Sequence, residues 1–75
     1  MIRFKIDVIE EMKKKGYNTN RIRKEKIISE STLDKIRQNI KNNDNVVINT
    51  KTIDTICQIL NKQPSYFLKY VKEDQ

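Results

Sequence analysis

RIRKEKIISESTLDKIR, residues 21–37, contains neither glycine nor proline. It reads either as one long basic helix or as two helices joined by a corner, and helical phase separates the two readings. Advancing about 100° per residue from Ile22 puts Leu33 at roughly 20° and Ile36 at roughly 320°, on one side. Ile27 falls at roughly 140° and Ile28 at roughly 240°, away from that stripe. The positions that a single helix would bury instead hold Glu25, Lys26 and Ser29. A continuous helix therefore strands an isoleucine pair and interrupts its own seam. A break around Ile27–Ser29 removes the conflict. Ile28 turns inward as a plug, and Ser29 caps a new helix. Glu30 and Asp34 then fall early in that helix and Lys35 and Arg37 late, as the helix dipole favours. The stretch predicts two helices, 19–26 and 30–38.

On the N-terminal side, Ile2 and Phe4 alternate with Arg3 and Lys5, which predicts a short strand or extended arm over 1–5. From Ile6 the period becomes helical: Ile6, Ile9 and Met12, with Val8 at the border, predict a helix over 6–15. Lys13, Lys14 and Lys15 suit its negative pole, and the only glycine, Gly16, stops it. Asn18 or Thr19 starts the next helix. On the C-terminal side, Lys41-Asn42-Asn43-Asp44-Asn45 reads as a polar loop, and Val46-Val47-Ile48 returns the chain to the core. Asn49 or Thr50 caps a helix over 50–61, in which Ile53, Ile56, Cys57 and Leu60 form an i, i+3, i+4, i+7 stripe. Asn61 ends it. Pro64 opens a short fifth helix, 64–70, with Phe67, Leu68 and Tyr70-Val71 as its apolar residues. Residues 72–75 are expected to fray. The expected fold is all-α: one domain over 1–75, five helices and a short N-terminal extended arm.

The chain has 75 residues, too few for a second domain, and a core that thin makes subunit contact a plausible aid to stability. One cysteine excludes an intrachain disulfide, and without histidine it cannot build a Cys/His zinc site. No metal or other cofactor is implied. No Ser/His/Asp set and no glycine-rich phosphate loop is present, so an enzyme is not expected. Sixteen Lys and Arg against ten Asp and Glu leave a formal charge of +6, which favours a polyanionic partner or plain solubility. No apolar run approaches bilayer length, and MIRFKIDVIEE lacks a signal peptide's apolar stretch. A cytoplasmic protein without a membrane or small-molecule partner is expected.

A helix–corner–helix inside a small helical domain is the skeleton of a major-groove reader. The residues here resemble the lambda-repressor-like (Cro/repressor type) helix-turn-helix family, particularly its small stand-alone members. That family's pattern is G-x-T-x-x-x-L-A-x-x-x-G-I-S-x-S-T-I-x-K-L-R. Gly16, Ile22, Ile28, Ser29, Ser31-Thr32-Leu33 and Lys35-Ile36-Arg37 match it without a gap. Residues 52–64, TIDTICQILNKQP, are similar to the family's T-L-D-K-I-C-x-x-L-x-x-Q-P stretch. The blocks together reach from about residue 5 to 71. Two departures stand out: Arg23 occupies the small mid-helix position, and Ile27 the corner glycine. Glycine accepts φ > 0 freely and a β-branched residue does not. Helix two is therefore expected to end differently, or the corner to keep φ < 0.

The resemblance implies sequence-specific binding of double-stranded DNA with 30–38 as recognition helix. Base-reading candidates are Glu30, Ser31, Asp34, Lys35 and Gln38, with Leu33 and Ile36 facing inward. Lys35 suits guanine N7/O6, Ser31 several base edges, and Glu30 cytosine N4. Phosphate candidates are Thr19, Asn20, Arg21, Arg23, Arg37 and Lys41. It further implies a cytoplasmic transcription regulator of bacterial, phage or mobile-element origin, a repressor acting as a homodimer on a palindromic operator. The chain-end segments 1–5 and 66–71 are candidate dimer contacts. Glu30 and Asp34 repel phosphate, which motivates the alternative of a protein-interaction module, or an antitoxin-type partner, on the same scaffold. Against the functional readings stand bland ones. Glu30 and Asp34 suit the helix dipole, the 21–26 cations a solvated face, and Cys57 core packing.

Overall fold

The structure is a computed structural model that describes residues 1–72. Of the end expected to fray, 72–75, residues 73–75 lie outside the described residues. The element order is β1 (Ile2–Phe4), α1 (Val8–Lys14), α2 (Thr19–Lys24), α3 (Glu30–Asn42), α4 (Thr50–Leu60), a 3₁₀ turn (Pro64–Tyr66) and β2 (Leu68–Tyr70).

Each α-helix starts on a side-chain cap. Asp7 accepts from the Ile9 and Glu10 N–H groups, Asn18 from Arg21, Ser29 from Thr32 and Asn49 from Thr52. The cap at Asp7 explains why α1 begins at Val8 and leaves Ile6 outside the helix. α3 runs past the expected 38 to Asn42, because half-buried Ile40 extends the seam of Leu33 and Ile36 by one more turn.

The four helices also end alike. A left-handed residue follows each: Gly16 (φ 91°), Lys26 (φ 54°), Asn43 (φ 55°) and Asn61 (φ 54°). The next N–H then reaches back five residues, from Tyr17 to the Met12 carbonyl (2.9 Å), Ile27 to Ile22 (3.0 Å), Asp44 to Asn39 (3.1 Å) and Lys62 to Cys57 (3.1 Å). This is the Schellman closure.

The expected fifth helix over 64–70 is a correction. Only Pro64–Tyr66 turns, and the chain then extends into β2, which pairs antiparallel with β1. The register is Ile2↔Tyr70, Arg3↔Lys69 and Phe4↔Leu68. The Lys5 N–H donates to the Phe67 carbonyl at 2.8 Å and the Val71 N–H to that of Met1 at 2.7 Å, which extends the ladder at both ends. Phe67 is fully buried and anchors the strand. Phe67-Leu68 and Tyr70-Val71, two apolar pairs around Lys69, satisfy a strand as well as a helix turn, and the waiting partner β1 decides. The N-terminal arm is thus a strand in a two-stranded sheet.

One core joins all these elements: Phe4, Val8, Met12, Ile22, Ile28, Leu33, Ile36, Ile56, Leu60 and Phe67. Along α4, Ile56 and Leu60 are buried while Ile53 and Cys57 are half-buried at its margin. Burial pushes the Cys57 thiol pKa up, with Asp54 adding to it, so the thiol stays neutral. Among the described residues, no helix is long and apolar enough to cross a membrane.

Candidate nucleic-acid interface

The break between α2 and α3 carries the candidate interface. After Lys24 the helix caps at Glu25, and Lys26 takes the left-handed conformation. The Lys26 N–H donates to Arg23 (3.1 Å) and the Ile27 N–H to Ile22 (3.0 Å). Helix two therefore ends earlier than expected, and the φ > 0 residue falls one position before Ile27. Ile27 keeps an ordinary φ and packs half-buried against the core, while Ile28 is the buried plug. The cost moves to a lysine, for which left-handed backbone is unfavourable by roughly 1–2 kcal/mol.

Ser29 then starts α3. Its hydroxyl accepts from the Thr32 N–H at 3.3 Å and donates to the Thr32 hydroxyl at 2.7 Å. Leu33 and Ile36 have no exposed surface, which fixes the rotation of the helix about its axis. Glu30, Ser31, Asp34, Lys35 and Gln38 are consequently all exposed. Ser31, Asp34, Lys35 and Gln38 lie at i, i+3, i+4, i+7 and form one continuous face.

The acids on this face have partners. Glu30 faces the Arg23 guanidinium at 3.7 Å, an ion pair that spans the corner. Asp34 accepts from Arg37 at 3.2 Å within α3. Neither pair is buried. Asp34 and Glu30 thus hold arginines, and Glu30, in the first turn of α3, also suits the helix dipole.

The phosphate candidates fall into three places. Thr19 (half-buried), Asn20 and Arg21 lie in the first turn of α2; Arg23 lies at the corner; Arg37 (half-buried) and Lys41 lie towards the end of α3. Arg37 and Lys41 line a groove of about 300 Å³ with Asp7, Ile9 and Ile40, apart from the corner. Arg21 is the most committed. Its Nε donates to Glu25 at 2.7 Å, its terminal nitrogen to the Gly16 carbonyl at 3.1 Å, and its guanidinium lies 4.2 Å from the Tyr17 ring centroid. The Glu25 hydrogen bond holds its pKa above the ordinary arginine value. Arg21 ties α2 to the turn after α1, a role that the sequence reading did not assign. Its (i, i+4) pairing with Glu25 was the available signal.

Sequence reasoning also missed two features. The loop after α3 is pinned beside the exposed face of that helix. The Val46 N–H donates to the Ile2 carbonyl (2.8 Å) and the Val47 N–H to the Asn39 side chain (3.2 Å). Residues 45–49 and the α3 residues Thr32 and Lys35 enclose an open notch of about 460 Å³. A second depression, about 300 Å³, sits at the corner between Arg23, Lys26, Ile28, Ser29 and Glu30. Among the described residues, no group of three or more His, Cys, Asp or Glu side chains is placed to hold a metal ion.

Residues 7–73 match the family model described as the Cro/C1-type HTH DNA-binding domain. Neither a curated protein nor a solved structure gives a significant match.

Proposed function

The chain belongs to the Cro/C1-type helix-turn-helix DNA-binding family, and from that premise we propose that it is a repressor that binds a palindromic operator as a homodimer. α3 enters the major groove. Lys35 donates to guanine N7/O6, Glu30 accepts from cytosine N4, Gln38 suits adenine, and Ser31 and Asp34 complete the reading face. Thr19, Asn20, Arg21, Arg23, Arg37 and Lys41 hold phosphates and fix the register. The observation that carries this reading is the corner. It separates α3 from α2, and with Leu33 and Ile36 buried, all five base-reading candidates face solvent.

The dimer reading now rests on β2. β1 is bonded on both sides, to β2 and, through Ile2, to Asn45 and Val46. Among the described residues, β2 is bonded on one side. Residues 67, 69 and 71 face β1, so the N–H and C=O groups of Leu68 and Tyr70 point outward along an open edge. Tyr70 is 71% exposed and its cross-strand neighbour Ile2 39%. An open edge beside apolar surface suits antiparallel pairing with the β2 of a second copy.

Selection of duplexes from a random pool tests the whole reading. The expected result is a pseudo-palindrome with half-sites about one helical turn apart. Lys35→Ala then relaxes preference at one symmetric position by about 1–3 kcal/mol. About five phosphate contacts give a log K against log salt slope near −4 to −5. A particle that stays monomeric at tens of micromolar with its selected duplex rejects the dimer. A flat salt slope with no duplex preference rejects DNA reading and favours the protein-interaction alternative, which the ion-paired Glu30 and Asp34 motivate.

A further inference from the structure

Three of the four helices close on a residue suited to left-handed backbone: Gly16, Asn43 and Asn61. Glycine has no Cβ to clash, and asparagine tolerates the region. The fourth closes on Lys26, whose side chain gives no such relief. The fold itself needs no lysine there. The closure uses only backbone groups, from Lys26 to Arg23 and from Ile27 to Ile22. Lys26 is exposed, and none of the ion pairs among the described residues includes it. An unfavourable backbone state held by a residue with no structural task points to a task outside the chain.

The surroundings indicate which. Lys26 shares the corner depression of about 300 Å³ with Arg23, whose guanidinium faces Glu30. Among the described residues, Lys26 is therefore the cation of this depression that no carboxylate holds. The depression lies where α2 stops and the reading helix α3 begins. A compact ammonium with three donors suits a single phosphodiester oxygen pair and carries no sequence information.

We propose that Lys26 is a DNA-phosphate contact at the corner, and that it holds the left-handed position in place of glycine because duplex binding needs a cation there. This rests on the DNA-binding reading above. It adds a contact that neither the motif nor the spacing of the basic residues had assigned.

The test uses the full chain with Lys26→Gly, Lys26→Asn and Lys26→Arg, each measured for thermal unfolding and for binding to random and selected duplexes over a salt series. Lys26→Gly raises the thermal midpoint by about 4–8 °C. The same variant weakens binding about fivefold at about 0.15 M salt on every sequence alike and makes the log K slope shallower by about 0.9. Lys26→Asn also loses the slope contribution while keeping a residue that tolerates the turn. Lys26→Arg retains both the wild-type midpoint and the wild-type slope. Unchanged affinity and slope in Lys26→Gly, whatever its stability, overturn the proposal. So does a loss confined to one sequence, which would make Lys26 a base reader. Absence of salt-dependent duplex binding by the wild-type chain refutes the DNA reading itself and is visible before any variant is made.

Discussion

Glu30→Gln puts the corner under the most informative strain. Glu30 faces Arg23 across 3.7 Å, with side chains 70% and 40% exposed, so the pair is loose and wet. Such pairs contribute no more than about 1 kcal/mol, and the first-turn dipole interaction adds about 0.3–1 kcal/mol. A domain of this length holds roughly 4–11 kcal/mol in total at about 0.05–0.15 kcal/mol per residue. Glu30→Gln therefore stays folded, with a stability loss under about 2 kcal/mol. Binding changes in two opposite ways. On random duplex Arg23 reaches its phosphate without displacing Glu30, so affinity rises by at most about fivefold while the log K slope stays at the wild-type value. On the selected operator the lost carboxylate forfeits its cytosine, costing about 1–3 kcal/mol at that base pair. Fluorescence anisotropy on both duplexes across a salt series, beside circular-dichroism melts, reads all of these. Unchanged affinity on random duplex, in a folded variant, refutes the claim that Arg23 is shared between Glu30 and phosphate. An unchanged operator-to-random ratio refutes base reading by Glu30.

Three further outcomes are expected. Arg21→Lys keeps the charge but cannot reach Glu25 and the Gly16 carbonyl together, so its melting temperature falls while its salt slope stays at the wild-type value. Ile56→Ala removes a side chain with no exposed surface and costs about 2–5 kcal/mol in urea unfolding, whereas half-buried Ile53→Ala costs less. The Lys14 hydrogen bond holds the Glu11 pKa below its ordinary value, so this pairing stabilises the fold above the ordinary glutamate pKa and is lost as pH falls through the lowered one. An NMR titration should find Glu11 below the ordinary range, and Lys14→Ala should return it there.

The parts of the fold legible in the sequence are those fixed by neighbours a few residues away. Asp7, Asn18, Ser29 and Asn49 bond N–H groups two or three positions on, so the cap at Ser29 could be read directly and those at Asn18 and Asn49 each as one of two neighbouring candidates. The corner was legible because phase conflict is a local property, and the buried Leu33 and Ile36 follow from the same stripe. The left-handed residue lies one position before the family's corner glycine, because helix two ends differently, one of the two outcomes expected for Ile27. The family pattern puts glycine at position 27, but Schellman closure favours an apolar residue just after the left-handed one. Ile27, five after Ile22, fits that place, so the left-handed residue is Lys26. The segment 64–70 was misread for a different reason. Its apolar residues allow either period, and what selects the strand is β1, more than 60 positions earlier. Pairing across such a distance leaves no local trace.

The formal +6 of the chain is a poor measure of the charge that its interface offers. Of the cations near the corner and along α3, Arg21, Arg23 and Arg37 each face a carboxylate, while Lys24, Lys26, Lys35 and Lys41 take part in no ion pair among the described residues. A phosphate can recruit the arginines only by displacing Glu25, Glu30 or Asp34. For exposed pairs that exchange is cheap, at most about 1 kcal/mol each. It is dearest for Arg21, which would also give up the Gly16 carbonyl and the Tyr17 ring. Arg21 should therefore be the last arginine to turn towards DNA, and Arg23, with the longest ion-pair distance, the first. The salt slope counts these exchanges. Contacts from the unpaired lysines Lys26 and Lys41 alone give a slope near −2, and each arginine that changes partner adds about 0.9. A slope that stays near −2 while Lys35→Ala still relaxes base preference would mean that the arginines brace the corner and the lysines alone grip the backbone.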